Sequence, residues 1–385
     1  MLHDALWDDE FPHDPSICYL NHAAVAPWPK RAADAVSAFA RENIHQGARD
    51  YPRWIQLEHR LRGQLQTLLN APGKGDIALV KNTSEALSLV AMGLDWAAGD
   101  EVLISDQEFP SNRIPWQALE GRGVTVRQVS LDGDPEAALI AAMGPATRLL
   151  SISSVQYASG LRMDLERLGR ACRERNILFC VDAIQSLGAL PFDVQAIDCD
   201  FAMADGHKWL LGPEGLGVFY CRREARDRLK LTQFGWHMVE AMGDYDREDW
   251  VPASTARRFE PGSPNTLAQH ALSASLELLL EVGLKRIQEA LQQRTAYLLH
   301  SIAAIPGARI LSPSTPERRA GIVTFTIGDC PNAWLFQQLK DAGIVCAERG
   351  GGIRWSPHFY TSQQVLDNAL AILRSALQQH YNRSR

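Results

Sequence analysis

From residue 77 onward, short apolar runs alternate with stretches in which apolar residues recur every three or four positions, the signatures of buried strands and amphipathic helices. Runs at 77–80, 101–105, 124–129, 148–153, 177–181, 199–204 and 216–220 predict strands, and the intervening patterns at 84–92, 111–119 and 165–175 predict helices. Ahead of them lie a short strand or turn at 19–24 and helical patterns at 31–46 and 54–69, separated by a break at Tyr51-Pro52. Strands alternating with helices predict an α/β fold with a large, mostly parallel, doubly wound sheet. Residues 231–264 carry Trp, Gly, Asp and Pro without a period and predict an extended connection, a kind of segment more often functional than idle. Helical patterns at 266–280 and 284–303 follow. The chain then reads strand (321–327), helix (333–341), strands near Ile344 and Ile353, and helix (363–378), a compact α+β unit. The expected division is an N-terminal segment 1–20 that folds back onto the second domain, a large domain 21–262 and a small C-terminal domain 263–385.

Composition narrows this picture by exclusion. The 385 residues are 46% apolar and 22% charged, ordinary for a globular protein able to bury a sizeable core. A net charge of −6 argues against nucleic acid and anionic membranes as partners. No apolar run approaches membrane-spanning length, and the acidic stretch from Met1 to Pro15 predicts no secretory leader. Seven cysteines, an odd number with no CxxC pair, predict a reduced, cytoplasmic setting.

Chemistry concentrates between Ile177 and Pro213. One apolar run ends on Asp182, with Gln185 a turn later; the next ends at Asp205-Gly206-His207-Lys208-Trp209. Groups just past the carboxyl ends of parallel strands share one crevice, so a carboxylate, an amide, an imidazole and an amine are expected to converge there. A lysine and an acid on neighbouring strand ends suit pyridoxal 5′-phosphate, whose aldehyde takes a lysine and whose ring nitrogen wants an acidic partner. Each residue alone has a blander reading: Lys208 as a surface lysine, Asp182 as a helix cap, Gln185 as a solvated amide. Thr83 and Ser84, between a strand and a helix, read either as a phosphate cradle or as an ordinary N-cap. Phe109 could stack on a flat cofactor or fill the core. Arg354, after three glycines, could grip a carboxylate or form a surface ion pair. No GxGxxG turn supports a dinucleotide enzyme. The spacing of Asp182, Asp205 and His207 matches no familiar metal-ligand pattern, so no metal is expected.

Val181-Asp182-Ala183-Ile184-Gln185, Asp200-Phe201 and the run from Gly206 to Gly215 resemble the signature of the class V aminotransferase family of fold-type I pyridoxal phosphate enzymes. Further matches run from Tyr19 to Ala24, from Asn82 to Ala86, from Gly99 to Gln117 and from Arg258 to Asn265, so the resemblance covers nearly the whole chain. It implies Lys208 as the Schiff-base lysine and proton carrier, and Asp182 as the partner of the pyridinium nitrogen. It implies Gln185 on the ring's phenolic oxygen, with Gln156 or Ser154 as helper, and Thr83, Ser84 and His207 on the phosphate. Gly262 and Ser263 match a segment that reaches the phosphate of a second subunit, which implies a homodimer with shared sites. Arg354 matches the arginine that binds the substrate α-carboxylate, with Asn21 and Gln156 also expected on the substrate side.

Three departures shape the functional expectation. Phe109 stands where cysteine desulfurases carry a stacking histidine, so stacking is kept and acid–base chemistry lost. Asp205 replaces a small hydroxyl residue near the phosphate, an unfavourable place for an acid unless it turns to His207 or solvent. The stretch 347–353, where desulfurases carry a persulfide-forming cysteine, is short and contains none; Cys346 sits in an apolar pattern and reads as core. The expected activity is therefore β-elimination on a small amino acid, of the C–S lyase or desulfurase-like kind without a persulfide cysteine. An aminotransferase or an amino-acid epimerase of the same family is the alternative.

Overall fold

The structure, a computed structural model, describes residues 7–383; residues 1–6 of the expected N-terminal segment lie outside the described residues. Seven strands form the central sheet in the order Ile77–Val80, Gly217–Cys221, Phe201–Asp205, Leu178–Asp182, Thr147–Ser153, Glu101–Ser105, Thr125–Val129. Only Gly217–Cys221 runs against the rest, pairing antiparallel with both neighbours. Strands buried on both faces need no polar alternation: Phe179 and Val181 point into one hydrophobic cluster, Leu178 and Cys180 into the other.

The strands predicted from residue 77 onward form within about two residues of their expected ends, while the strand or turn expected at 19–24 is a two-residue strand, Cys18–Tyr19, followed by a turn. The helix expected at 111–119 does not. Pro110 and Pro115 each remove a backbone donor, and the segment splits into a 3₁₀ turn at Pro110–Asn112 and a single helical turn at Ile114–Gln117. Conversely, the helix expected to start at 54 begins at Tyr51, because Pro52 is accommodated in a first turn whose N–H groups have no partner anyway. The helix Pro135–Ala142, capped by Asp134, and the strand Ala308–Ile310 were not anticipated.

Helices Lys30–Gln46, Tyr51–Leu69 and Thr266–Val282 pack together on one face of the sheet, burying Leu61, Leu65, Leu272 and Leu276. A four-stranded antiparallel sheet lies in the C-terminal part, ordered Ala347–Arg349, Gly352–Trp355, Val323–Ile327, Ala308–Ile310. Its cluster centres on Phe325, Trp355, Leu335 and Leu370, and takes in Cys18 and Leu20. Strand Cys18–Tyr19 pairs in parallel with Ile344–Val345, so the N-terminal segment is tied to this C-terminal unit. Among the described residues no helix is long and apolar enough to cross a membrane.

One buried ion network locks the large sheet's edge. Nη2 of Arg62 lies 2.6 Å from both Glu58 and Glu260, and Glu260 also accepts Leu79 N–H at 2.9 Å. His237 stands beside the same carboxylates. The guanidinium already supplies the cation this acidic group calls for.

Candidate active site

Strands Leu178–Asp182 and Phe201–Asp205 are parallel neighbours, so Asp182 and Asp205 emerge at the same end of the sheet. After Asp205 the chain makes a tight turn that sets Lys208. Gly206 N–H bonds Leu216 O at 2.9 Å, Gly212 N–H bonds Gly206 O at 2.8 Å, and Leu211 is held at φ +58°. A non-glycine residue in that region costs about 1–3 kcal/mol. Full burial of Leu211 and the Ser275 hydroxyl on its carbonyl (2.8 Å) offset it. A Cβ on Gly206 would meet the backbone oxygen of Leu216 at 2.8 Å, so this turn takes nothing larger than glycine there, and one on Gly212 would have to displace the end of the Leu272 side chain (Cδ1 at 2.6 Å).

The resulting pocket holds about 250 Å³ and is lined by Lys208, Asp182, Gln185, His207, Asp205, Thr83, Ser84, Phe109 and Arg354. Arg349, Tyr157, Asn82, Ser111, Ile184, Ala23 and Ala24 complete the wall. Burial dominates its electrostatics. Asp182 is 2% exposed, and desolvation raises its pKa, helped by the Glu108 charge and opposed by the Ile184 N–H bond (3.0 Å) and Lys208. Lys208 is 9% exposed; desolvation lowers its pKa, Asp182 opposing and Arg354 adding to the fall. With its pKa lowered to about 8, Lys208 reaches the neutral amine, the form that attacks a carbonyl carbon, more readily than an exposed lysine does. Its Nζ lies 5.6 Å from the centroid of the Phe109 ring, which packs edge-on against Tyr157.

Each remaining side chain is held from behind. Gln185 donates to Ala23 O at 2.9 Å and accepts from Trp209 Nε1 at 2.8 Å, which leaves one amide hydrogen. Arg354 is buried, donates to Tyr157 O at 2.7 Å, and has its pKa lowered to about 10 by desolvation and by Arg349. Asn82 caps the helix Thr83–Gly93 by accepting Glu85 N–H at 2.9 Å, while Glu85 accepts Lys81 N–H at 2.6 Å. The cap thus falls one residue before Thr83 and two before Ser84, and leaves their hydroxyls to other uses. Ser84 donates to Ser111 Oγ at 2.8 Å.

Four buried polar atoms of the pocket residues have no hydrogen-bond partner: Arg354 Nε, Thr83 Oγ1, Asp205 Oδ1 and His207 Nδ1. The last two are 3.1 Å apart without hydrogen-bond alignment, so Asp205 does turn toward His207. An unpaired hydroxyl and imidazole nitrogen beside a helix N-terminus fit a phosphate, and the neighbouring acid–amine pair fits a ring with an aldehyde and a basic nitrogen.

Several expected residues lie elsewhere. Gln156 is buried outside the pocket wall and donates to Glu108 at 3.2 Å. Ser154 points away, to Asp182 O at 3.1 Å and Ser186 Oγ at 2.7 Å. Asn21 bridges to Ser356 two residues before the wall at Ala23. Gly262 and Ser263 line no part of the pocket of their own chain. Arg349 was missed by sequence reasoning. The glycine signal at 350–352 was noted for Arg354, yet the same hairpin, with Gly350 and Gly351 at positive φ, also returns Arg349 to the wall.

A lysine and an acid on adjacent parallel strand ends, beneath a helix N-terminus with unspent donors, define a pyridoxal phosphate type of site on a doubly wound sheet. The family profile described as Aminotransferase class-V matches residues 18–364, and the chain belongs to that family of pyridoxal phosphate-dependent enzymes. It is 30% identical over 373 residues to a probable cysteine desulfurase of Methanothermobacter thermautotrophicus, covering 90% of this chain and 92% of the relative. A probable cysteine desulfurase of Streptomyces coelicolor is 30% identical over 366 residues, with 91% and 85% covered. The solved complex of the cystine C–S lyase C-DES with its product cysteine persulfide superposes with a TM-score of 0.88 at 27% identity, covering 94% of this chain and 98% of that one. The cysteine desulfurase CsdA of Escherichia coli has a TM-score of 0.88 at 24% identity, with 98% and 99% covered, a likeness of fold.

Proposed function

We propose that this enzyme cleaves the bond between Cβ and sulfur of a small amino acid by β-elimination, without a persulfide-forming cysteine. One observation carries the reading: Lys208, Asp182 and Arg354 face a single pocket that no thiol lines. All seven cysteines are buried. Cys346, the one nearest the hairpin in sequence, has its pKa pushed up to about 12 by burial, against weaker effects of Trp355 and Arg354, so its thiolate is scarce at neutral pH. The cystine lyase likeness supports elimination; the desulfurase relatives support sulfur chemistry in general.

Pyridoxal phosphate, when bound, supplies the electron sink for the pair released at Cα. Thr83, Ser84 and His207 would hold its phosphate, Asp182 its ring nitrogen, Gln185 its phenolic oxygen through the spare amide hydrogen, and Phe109 one ring face. Arg354 would take the substrate carboxylate in charge-assisted bonds. Arg349, a second cation on the wall, draws anionic character in the substrate's side chain or carboxylate to the same end. The neutral Lys208 amine takes the Cα proton. The electron pair forms the Cα–Cβ double bond, and sulfur leaves with the pair from the broken C–S bond.

The site is proposed to be shared between two copies of the chain, Gly262 and Ser263 reaching the partner's phosphate. Ser263 is exposed, and the connection that precedes it displays Phe234 (64% exposed), Tyr245 (77%) and Trp250 (53%), an apolar patch of the kind that marks association.

Product analysis tests the reading. With cystine or cysteine and no keto acid, pyruvate, ammonia and a sulfur product are expected in equal amounts. Lys208→Ala should reduce turnover by about 10²–10⁴-fold, the usual share of a positioned acid–base group. Strict dependence on an added keto acid, or sulfur retained on a protein thiol, would overturn it.

A further inference from the structure

A second cavity, of about 470 Å³, shares no lining residue with the Lys208 pocket. It lies where the loop after strand Thr147–Ser153, the segment after Gln185 and the turn at Pro316–Arg318 meet. Part of its wall is apolar, formed by Met163, Leu165, Leu190 and Phe192, and the rest carries serines, carboxylates and two arginines. At one side stands Arg162, half-buried; its backbone N–H bonds Arg318 O at 2.9 Å, while its guanidinium has no hydrogen bond or ion pair to any described residue. Its neighbour Arg318 is bonded through Nη1 to Glu136 at 2.9 Å. Burial, and the Arg318 charge against a partial offset from Asp164, hold the Arg162 pKa below its ordinary value.

The acids of the wall do not satisfy Arg162. Asp164 and Asp193 cap the helices that follow them. Glu166 faces Arg170 at 3.7 Å, and Glu317 is exposed at the rim. A confined cation without a counter-ion, beside an apolar wall in a cavity of ligand size, asks for a molecule that is anionic at one end and apolar at the other.

We propose that this cavity is a second binding site, for a small organic carboxylate whose charged end meets Arg162 and whose apolar body lies against Phe192, Leu190 and Met163. The site also touches the floor of the catalytic crevice, since Ser154 and Ser186 on its wall hold the Asp182 carbonyl and each other. The assignment does not depend on which reaction Lys208 performs.

Hexanoate and its neutral isostere hexanamide, titrated into the cofactor-loaded enzyme by ligand-observed saturation-transfer NMR, test it. Hexanoate should bind saturably and at least about 10-fold more tightly than hexanamide, the discrimination expected of one charge-assisted contact. Arg162→Met should remove that preference while cofactor absorbance and turnover stay unchanged, and Arg354→Ala should leave it intact. The idea fails if the amide binds equally, if binding does not saturate, if Arg162→Met retains the preference, or if Arg354→Ala abolishes it, which would place the ligand in the catalytic pocket. The comparison of acid with amide on the unmodified enzyme decides the matter even if a variant does not fold.

Discussion

Replacing Asp182 and Lys208 together by Asn and Met should make the cofactor-free protein more stable, although it destroys the enzyme. Both groups sit in a pocket that disfavours their charges, Asp182 at 2% and Lys208 at 9% exposure. Desolvation outweighs their mutual attraction, since the acid's pKa is raised and the amine's lowered. Asp182 and Lys208 make no direct salt bridge, and removing even well-paired buried charges in favour of neutral groups is commonly worth about 1–4 kcal/mol; with the Ile184 N–H bond kept by Asn, we expect ~2 kcal/mol. The pH dependence separates this cause from a packing effect. Between the ordinary carboxylate range and the raised value of Asp182, the folded chain holds more protons than the unfolded one, so stability falls as pH rises. Between the lowered value of Lys208 and the ordinary amine range the unfolded chain holds more, so stability climbs with pH. The penalty is greatest in the neutral window, and the double variant's advantage should peak there and shrink toward pH 4 and pH 10. Urea unfolding of both apoproteins, followed by tryptophan fluorescence at pH 4.5, 7.5 and 9.5, measures it. A variant no more stable at pH 7.5, or an advantage that does not change with pH, would refute the reasoning.

Arg354→Ala should raise KM about 10–100-fold, the loss of a charge-assisted carboxylate contact, with the cofactor's violet absorbance unchanged; loss of that absorbance would reassign the residue. Thr83→Val should weaken cofactor retention about 10-fold in a dialysis assay, because its unpaired hydroxyl is the nearest buried donor at the helix N-terminus. Gly188→Ala should cost about 1–3 kcal/mol in urea unfolding: Gly188 has φ +94°, and a Cβ would meet Trp209 O at 2.4 Å, next to the bond that orients Gln185.

The parallel sheet was legible because strands such as Leu178–Asp182 are buried on both faces and leave an uninterrupted apolar run. Lys208, Asp182 and Gln185 were legible because strand ends in such a sheet point one way, so order along the chain fixes position in the crevice. What escaped depends on long-range geometry or on competition for a single hydrogen bond. Arg349 reaches the pocket only because the hairpin at Gly350 and Gly351 folds the strand Ala347–Arg349 back on Gly352–Trp355. Asn82 took the cap that Thr83 and Ser84 also fitted, and no local pattern ranks three such neighbours. The helix Pro135–Ala142 did carry a start signal, Asp134 followed by Pro135, but its alanines blur the apolar stripe that would announce it. Ser154 and Gln156 stand on the right loop and turn the wrong way, Gln156 being claimed by Glu108.

Glu108 also explains why Asp182 is suited to its proposed partner. Both acids are buried at strand ends that flank the strand Thr147–Ser153, yet they are treated differently. Glu108 accepts from Ser105 Oγ, Asn112 Nδ2, Ser153 N and Oγ, and Gln156 Nε2. Asp182 accepts a single bond among the described residues, from Ile184 N–H. An acid given one donor, and set beside another acid that has five, is left short of positive partners in a place where its charge is costly. A ring nitrogen that binds a proton beside Asp182 supplies both the missing donor and the missing charge. The same contact keeps that nitrogen protonated, because a carboxylate in a water-poor pocket holds the cationic form far more strongly than one in solvent. Removing Glu108's charge with Gln would ease the pressure on Asp182. The arrangement of the two acids therefore ties the sheet's own hydrogen bonding to the electron demand of the chemistry proposed at Lys208.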